Sequence, residues 1–223
     1  MRLREGSCGV PAVGALETVV MRTRFNVGMT DIDAAAARPS AEWLESCVGA
    51  DSVWRPAELP EGLRHEESRR FLSTIGYPAV SLSAVRFDSS DLPAQGLWEE
   101  DPDELFGRRE PDDDSTPVKY CYGLGVYGND YTLMLDGELG VVDVYDPSGW
   151  DHGDGYRGRA FDSLAELAEA VGMLTWYLAR LEEGEEPATV LRELSESVTM
   201  SGWADSGFWI SAFDHLEDEY GVA

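Results

Sequence analysis

Lysine is almost missing from this chain. Lys119 is the only one among 17 basic residues, which face 43 aspartates and glutamates for a formal charge of −26. Cysteine and histidine are scarce as well, at three each. Cys8, Cys47 and Cys121 are widely spaced and form no C-x-x-C pair, so neither a thiolate zinc site nor a disulfide framework is indicated. Reduced thiols in a cytoplasmic protein are the expectation. No run approaches the roughly 18 apolar residues that a membrane helix needs. The opening MRLREGSCGVPAVGALE has early positive charge, but Pro11, Gly14 and Glu17 break its apolar stretch, so no signal peptide is expected. Cys8 follows charged and small residues, which argues against a lipoprotein.

The acid excess is uneven. Residues 1–60 carry −2, 61–118 carry −8, 119–181 carry −6 and 182–223 carry −10. Such a field repels nucleic acid and anionic membrane and speeds encounter with a basic partner. Solubility, or the acidic bias of a salt-adapted proteome, accounts for it equally well. The 16 arginines beside one lysine, with many Ala, Gly and Asp, suggest a high-GC bacterial genome. A chain of 223 residues suffices for one large domain or two small ones.

What the sequence does contain is centred on residues 119–150, KYCYGLGVYGNDYTLMLDGELGVVDVYDPSGW. Tyr131, Leu133 and Leu135 repeat at spacing two, as do Val142 and Val144, and this period with β-forming residues predicts strands. Three antiparallel strands are expected at about 120–127, 131–135 and 141–145. Asp136-Gly137 marks a hairpin. Either a two-residue turn or a longer loop through Gly140 fits, and the two give different registers.

The flanking sequence reads mainly as helix and loop. Thr30 or Asp31 caps a short helix over 34–37, and Ser40 caps another with Trp43, Leu44 and Cys47 on one side. Pro56 and Pro60 mark a linker. Residues 65–75 read as a helix with Phe71, Leu72 and Ile75 on one face and Gly76 at its left-handed cap. A strand is expected within 80–87. Residues 88–117, rich in proline and acid, read as mostly unstructured, and 146–159 as a surface loop. The clearest helix is 161–181, where Leu164, Leu167, Ala168, Val171, Leu174, Thr175, Leu178 and Leu181 form one stripe, with Ser163 and Glu166 as a capping box. Pro187 opens another helix and a last one starts near Asp205. The expectation is therefore an α+β domain, a central antiparallel β-meander flanked by helices, over 61–223 with two extra C-terminal helices. Residues 1–60 are read as an N-terminal extension.

The order of these parts resembles the SUKH superfamily, specifically its fourth immunity-protein family. The matching stretches are RRFLSTIGYP (Arg69 to Pro78), YGLG (Tyr122 to Gly125), YTLMLDGELGVV (Tyr131 to Val142) and FDSLAEL (Phe161 to Leu167). Asp162 stands where the family usually has Asn, which keeps the capping chemistry but departs from the pattern. The resemblance covers about residues 65–181. It implies an antitoxin of a bacterial polymorphic toxin system, without catalytic activity, that binds and neutralises a cognate toxin, often a nuclease or nucleobase deaminase. Related eukaryotic members act as regulatory scaffolds, so the fold does not force the function.

Several motifs carry residue types suited to chemistry. Gly123-Leu-Gly125-Val-Tyr-Gly128 matches G-x-G-x-x-G, but a β-run follows where a dinucleotide site needs a helix, so close packing or turns explain the glycines better. Asp143, Asp146, Asp151 and Asp154 suit a hard cation, yet lack the EF-hand glutamate, and a solvated acidic loop is the simpler reading. His65, His152 and His215 fall in no H-E-x-x-H, G-x-S-x-G or Cys–His signature, although His152 would serve a hydrolase built on 143–154. No cofactor, metal or catalytic residue is assigned. The candidate partner-binding residues are the acidic ones Glu99, Glu100, Asp101, Asp103, Asp112, Asp113, Asp114, Asp151 and Asp154, with Trp98, Trp150 and Tyr156 as anchors. The expected partner is a basic toxin protein, not nucleic acid or membrane. The alternative use for those rings is packing against the sheet edge. The alternative function is a scaffold protein that never meets a toxin.

Overall fold

A computed structural model of the chain describes residues 39–109, 115–128, 130–152 and 155–222, with the backbone alone for 150–152. The helix expected after Thr30 or Asp31 lies outside the described residues. The elements run α1 (Ala41–Val48), β1 (Val53–Trp54), α2 (Glu66–Thr74), β2 (Tyr77–Pro78), β3 (Ser81–Leu82), β4 (Phe87–Asp88), α3 (Leu92–Gln95), β5 (Trp98–Glu100), α4 (Pro102–Leu105), β6 (Cys121–Tyr127), β7 (Tyr131–Asp136), β8 (Val142–Tyr145), β9 (Tyr156–Phe161), α5 (Leu164–Glu182), α6 (Pro187–Met200) and α7 (Gly207–Tyr220).

The three predicted strands are β6, β7 and β8, and with β9 they form an antiparallel meander. The sheet continues past β6 through β4 to β3, while β5 lies against the other end of β6. Every pairing is antiparallel, and β1 with β2 makes a separate two-stranded ribbon. The chain is therefore of the α+β class.

The hairpin between β7 and β8 takes the longer loop. Leu135 faces Val142. The Asp136 carboxylate accepts the N–H groups of Glu138 and Leu139, both at 2.8 Å, while Gly140 donates to the Asp136 carbonyl at 3.0 Å. This side-chain closure, with Gly140 at φ 73°, replaces a two-residue turn. The loop also anchors α2: the N–H groups of Arg64 and His65 both donate to the Gly137 carbonyl, at 2.7 and 2.8 Å.

Helix α5 covers one face of the sheet. Leu167, Ala168, Val171 and Leu174 are fully buried against residues such as Tyr122, Leu124, Leu133, Leu135 and Val142. Its start follows the capping box with one change. Ser163 Oγ accepts the Glu166 N–H at 3.2 Å, and the Glu166 carboxylate takes the N–H of Asp162, one residue before the cap. Trp209, Leu194 and Leu216 bury α6 and α7 in the same core, so the two C-terminal helices are part of the domain.

Four expectations need correction. The described residues before 61 belong to the same compact unit as 61–222 rather than to a separate extension. Helix α1, capped by Ser40 as expected, packs on α5, and a methyl at Gly172 would stand 2.8 Å from the Trp43 ring. The segment 88–117 contains α3, β5 and α4. The loop 146–159 ends in a strand, β9. Strands β5 and β9 have no β-branched residue and no clean alternation, so only the ladder to a neighbour makes them strands. The strand expected within 80–87 is two short ones, β3 and β4, joined through a 3-10 turn.

Candidate partner-binding surface

Strand alternation sorts the acidic segment at 98–101 onto two faces. Trp98 pairs with Gly123, Glu99 with Tyr122 and Glu100 with Cys121. Tyr122 belongs to the main core, so Glu99 falls on that side, where its carboxylate accepts the Tyr122 hydroxyl at 2.9 Å. Trp98 and Glu100 lie on the opposite face, away from α5.

On this second face Cys121, Met134 and Tyr145 form a small core of their own, capped by Leu105 and Phe106. Phe106 meets Tyr145 and Tyr156 edge-on, with ring centroids 6.0 and 5.4 Å apart. The Tyr156 ring is thus seated on the sheet, and half of the residue stays exposed. The register places Met134 opposite Gly123 and Asp143, and Asp143 opposite Arg159. The row Trp98, Gly123, Met134, Asp143, Arg159 therefore crosses the whole face.

Helix α4 is held by the acidic residues themselves. Asp101 is buried, caps the helix through the Asp103 N–H at 2.9 Å, and pairs with Arg109 at 2.9 Å. Asp103 pairs with Arg108 at 3.2 Å, and the Arg108 guanidinium lies 5.6 Å over the Phe106 ring. These two aspartates, predicted as partner contacts, serve the local fold. Glu100 and Glu104 are different: no arginine or lysine among the described residues pairs with them. Burial, then the nearby Glu104 charge, pushes the Glu100 carboxyl up.

Of the remaining predicted residues, Asp112, Asp113, Asp114 and Asp154 lie outside the described residues, and for Trp150 and Asp151 only the backbone is described. The residues that sequence reasoning missed are Glu104, Phe106, Met134 and Tyr145. The one signal that would have found the last two is register, since Met134 and Tyr145 alternate with the core residues Leu133, Leu135 and Val144.

The other candidate chemistry disperses. Asp146 accepts from the Ser148 hydroxyl at 2.6 Å and from Arg157 at 2.8 Å, and these bonds hold its carboxyl below the usual range. Asp143 lies on the sheet face with Arg159 3.9 Å away, and burial pushes its carboxyl up. Among the described residues no three His, Cys, Asp or Glu side chains converge on a metal position. His65 caps α2, its Nδ1 2.8 Å from Ser68 Oγ. Burial pushes the Cys47 and Cys121 thiols up to about 12, which leaves them poor nucleophiles. The glycine motif is structural: Gly123 lies under Trp98, Gly125 approaches the Asp88 carbonyl, and Gly128 turns the chain at φ 59°. No helix among the described residues is long and apolar enough to cross a membrane.

Comparison with known proteins adds no relative: no family model matches the chain, and no curated protein or solved structure does.

Proposed function

We propose that this chain is a non-catalytic immunity protein that binds and neutralises a basic bacterial toxin, such as a nuclease or nucleobase deaminase. The observation that carries the reading is the charge of −26 together with a sheet face on which half-buried acid lies beside aromatic rings. A protein of that charge is steered toward a basic partner, and rings set among carboxylates suit its arginines and lysines. The resemblance of residues 65–181 to SUKH immunity proteins points the same way.

Neutralisation by sequestration needs only binding. The partner is held by complementary charge and by burial of the rings, and its own active or nucleic-acid-binding surface is blocked or kept from its target. Such a mechanism asks no group on this chain to transfer a proton or attack a bond.

Co-expression tests the reading. Any toxic domain encoded by a gene beside this chain's is expressed with and without it; the lack of one counts against the proposal. Survival only in the presence of this chain, with a stable complex and with full protection by His152→Ala, supports the proposal. A stable fold that gives no protection and no complex supports instead a scaffold role. Loss of protection in His152→Ala with unchanged binding supports an enzyme.

A further inference from the structure

The second face of the sheet is only partly covered. Leu105 and Phe106 close over Cys121, Met134 and Tyr145, while Tyr156 and Val126, on the same face, stay 49% and 38% exposed. Around this uncovered part the carboxylates fall into two groups. Asp101, Asp103 and Asp143 each have an arginine at hand, namely Arg109, Arg108 and Arg159. Glu100 and Glu104 have none among the described residues. Glu100 is paired with Cys121 of this cluster, and Glu104 immediately precedes Leu105 and Phe106, which pack on it.

The chain itself shows how a cation sits here. Arg108 lies over the Phe106 ring and pairs with Asp103 at the same time. Ring face and carboxylate together suit a guanidinium, which stacks and forks, better than an ammonium, which does neither. A second copy of this chain would bring another −26 to the same face, so charge disfavours it as the occupant.

We propose that the sheet face around Phe106, Tyr145 and Tyr156 is the docking surface for a basic protein, and that Glu100 and Glu104 receive one of its arginine side chains. That the protein is a toxin rests on the reading above; the surface and its preference for arginine do not.

The test uses the full chain and a capped peptide of four Gly-Arg repeats, followed by NMR chemical shifts, with a Gly-Lys peptide beside it. The expected shifts fall on residues 98–106, Tyr145 and Tyr156. Binding is expected to weaken about tenfold in Glu100→Gln/Glu104→Gln, and the lysine peptide to bind less well. Shifts spread over α6 and α7, or unchanged affinity in the double variant, overturn the proposal. The protection assay separates this surface from the neutralising reading. Localised peptide binding without any protection keeps the surface and removes that reading. Full protection with peptide binding elsewhere does the reverse.

Discussion

The Trp98 indole occupies the space that a side chain at Gly123 would fill. The two residues are paired across β5 and β6, and a methyl group at Gly123 would overlap the fused atoms of the ring. The missing side chain is therefore what lets β5 lie against β6 with its ring folded over the sheet. Gly123→Ala is expected to displace the indole and to cost about 1–3 kcal/mol by overpacking. Urea unfolding followed by tryptophan fluorescence checks it; stability within about 0.5 kcal/mol of wild type would mean the ring is not seated there.

Leu174 sits at the centre of the α5 stripe and is fully buried against the sheet. Leu174→Ala is expected to cost about 2–5 kcal/mol, with the methyl groups' transfer and the cavity both contributing. A cost near zero would mean that α5 does not rest on the sheet.

Removal of residues 182–223 is expected to abolish cooperative unfolding. It strips Leu194, Trp209 and Leu216 from the core. Circular dichroism melts of the truncated chain check this, and a sharp transition close to that of wild type would contradict it. The most acidic segment therefore has to be tested as a binding surface by side-chain neutralisation rather than by deletion.

Glu100 gives a pH dependence with a definite sign. Burial, with Glu104 next, raises its carboxyl above the ordinary value, so the folded chain holds this proton more tightly than the unfolded one. The ionised side chain then costs stability, a cost that grows as pH rises from about 4 through the raised value and is constant above it. Glu100→Gln is expected to be more stable than wild type at pH 7, and the gap to close toward pH 4. A gap that does not change with pH would place Glu100 in ordinary solvent.

The parts legible in the sequence are those with a strong period or a side-chain signal. Alternation at Tyr131 to Leu135 gave β7, the eight-residue stripe gave α5, and Ser40 and Ser163 gave two helix starts. Strands β5 (Trp98-Glu99-Glu100) and β9 (Tyr156 to Phe161) were not legible because, apart from their aromatic residues, they hold no β-branched residue and no apolar alternation. The candidate surface was half legible for the same reason. Its acid and its rings stand out in the sequence, but only the β5–β6 register puts Glu99 and Glu100 on opposite faces. Equally, only the fold shows that Asp101 and Asp103 are spent on α4 while no cation among the described residues pairs with Glu100 and Glu104.

The most direct test of the account is the binding kinetics of the proposed partner, any basic toxic domain encoded by a neighbouring gene, measured at about 50 and 300 mM salt, for wild type and two sets of variants. The account predicts fast, salt-sensitive association for wild type. It predicts faster dissociation for Glu100→Gln/Glu104→Gln, and wild-type behaviour for Glu196→Gln/Glu217→Gln/Asp218→Asn on α6 and α7. The opposite pattern, with the helix variants weakened and the sheet variants unchanged, would contradict it.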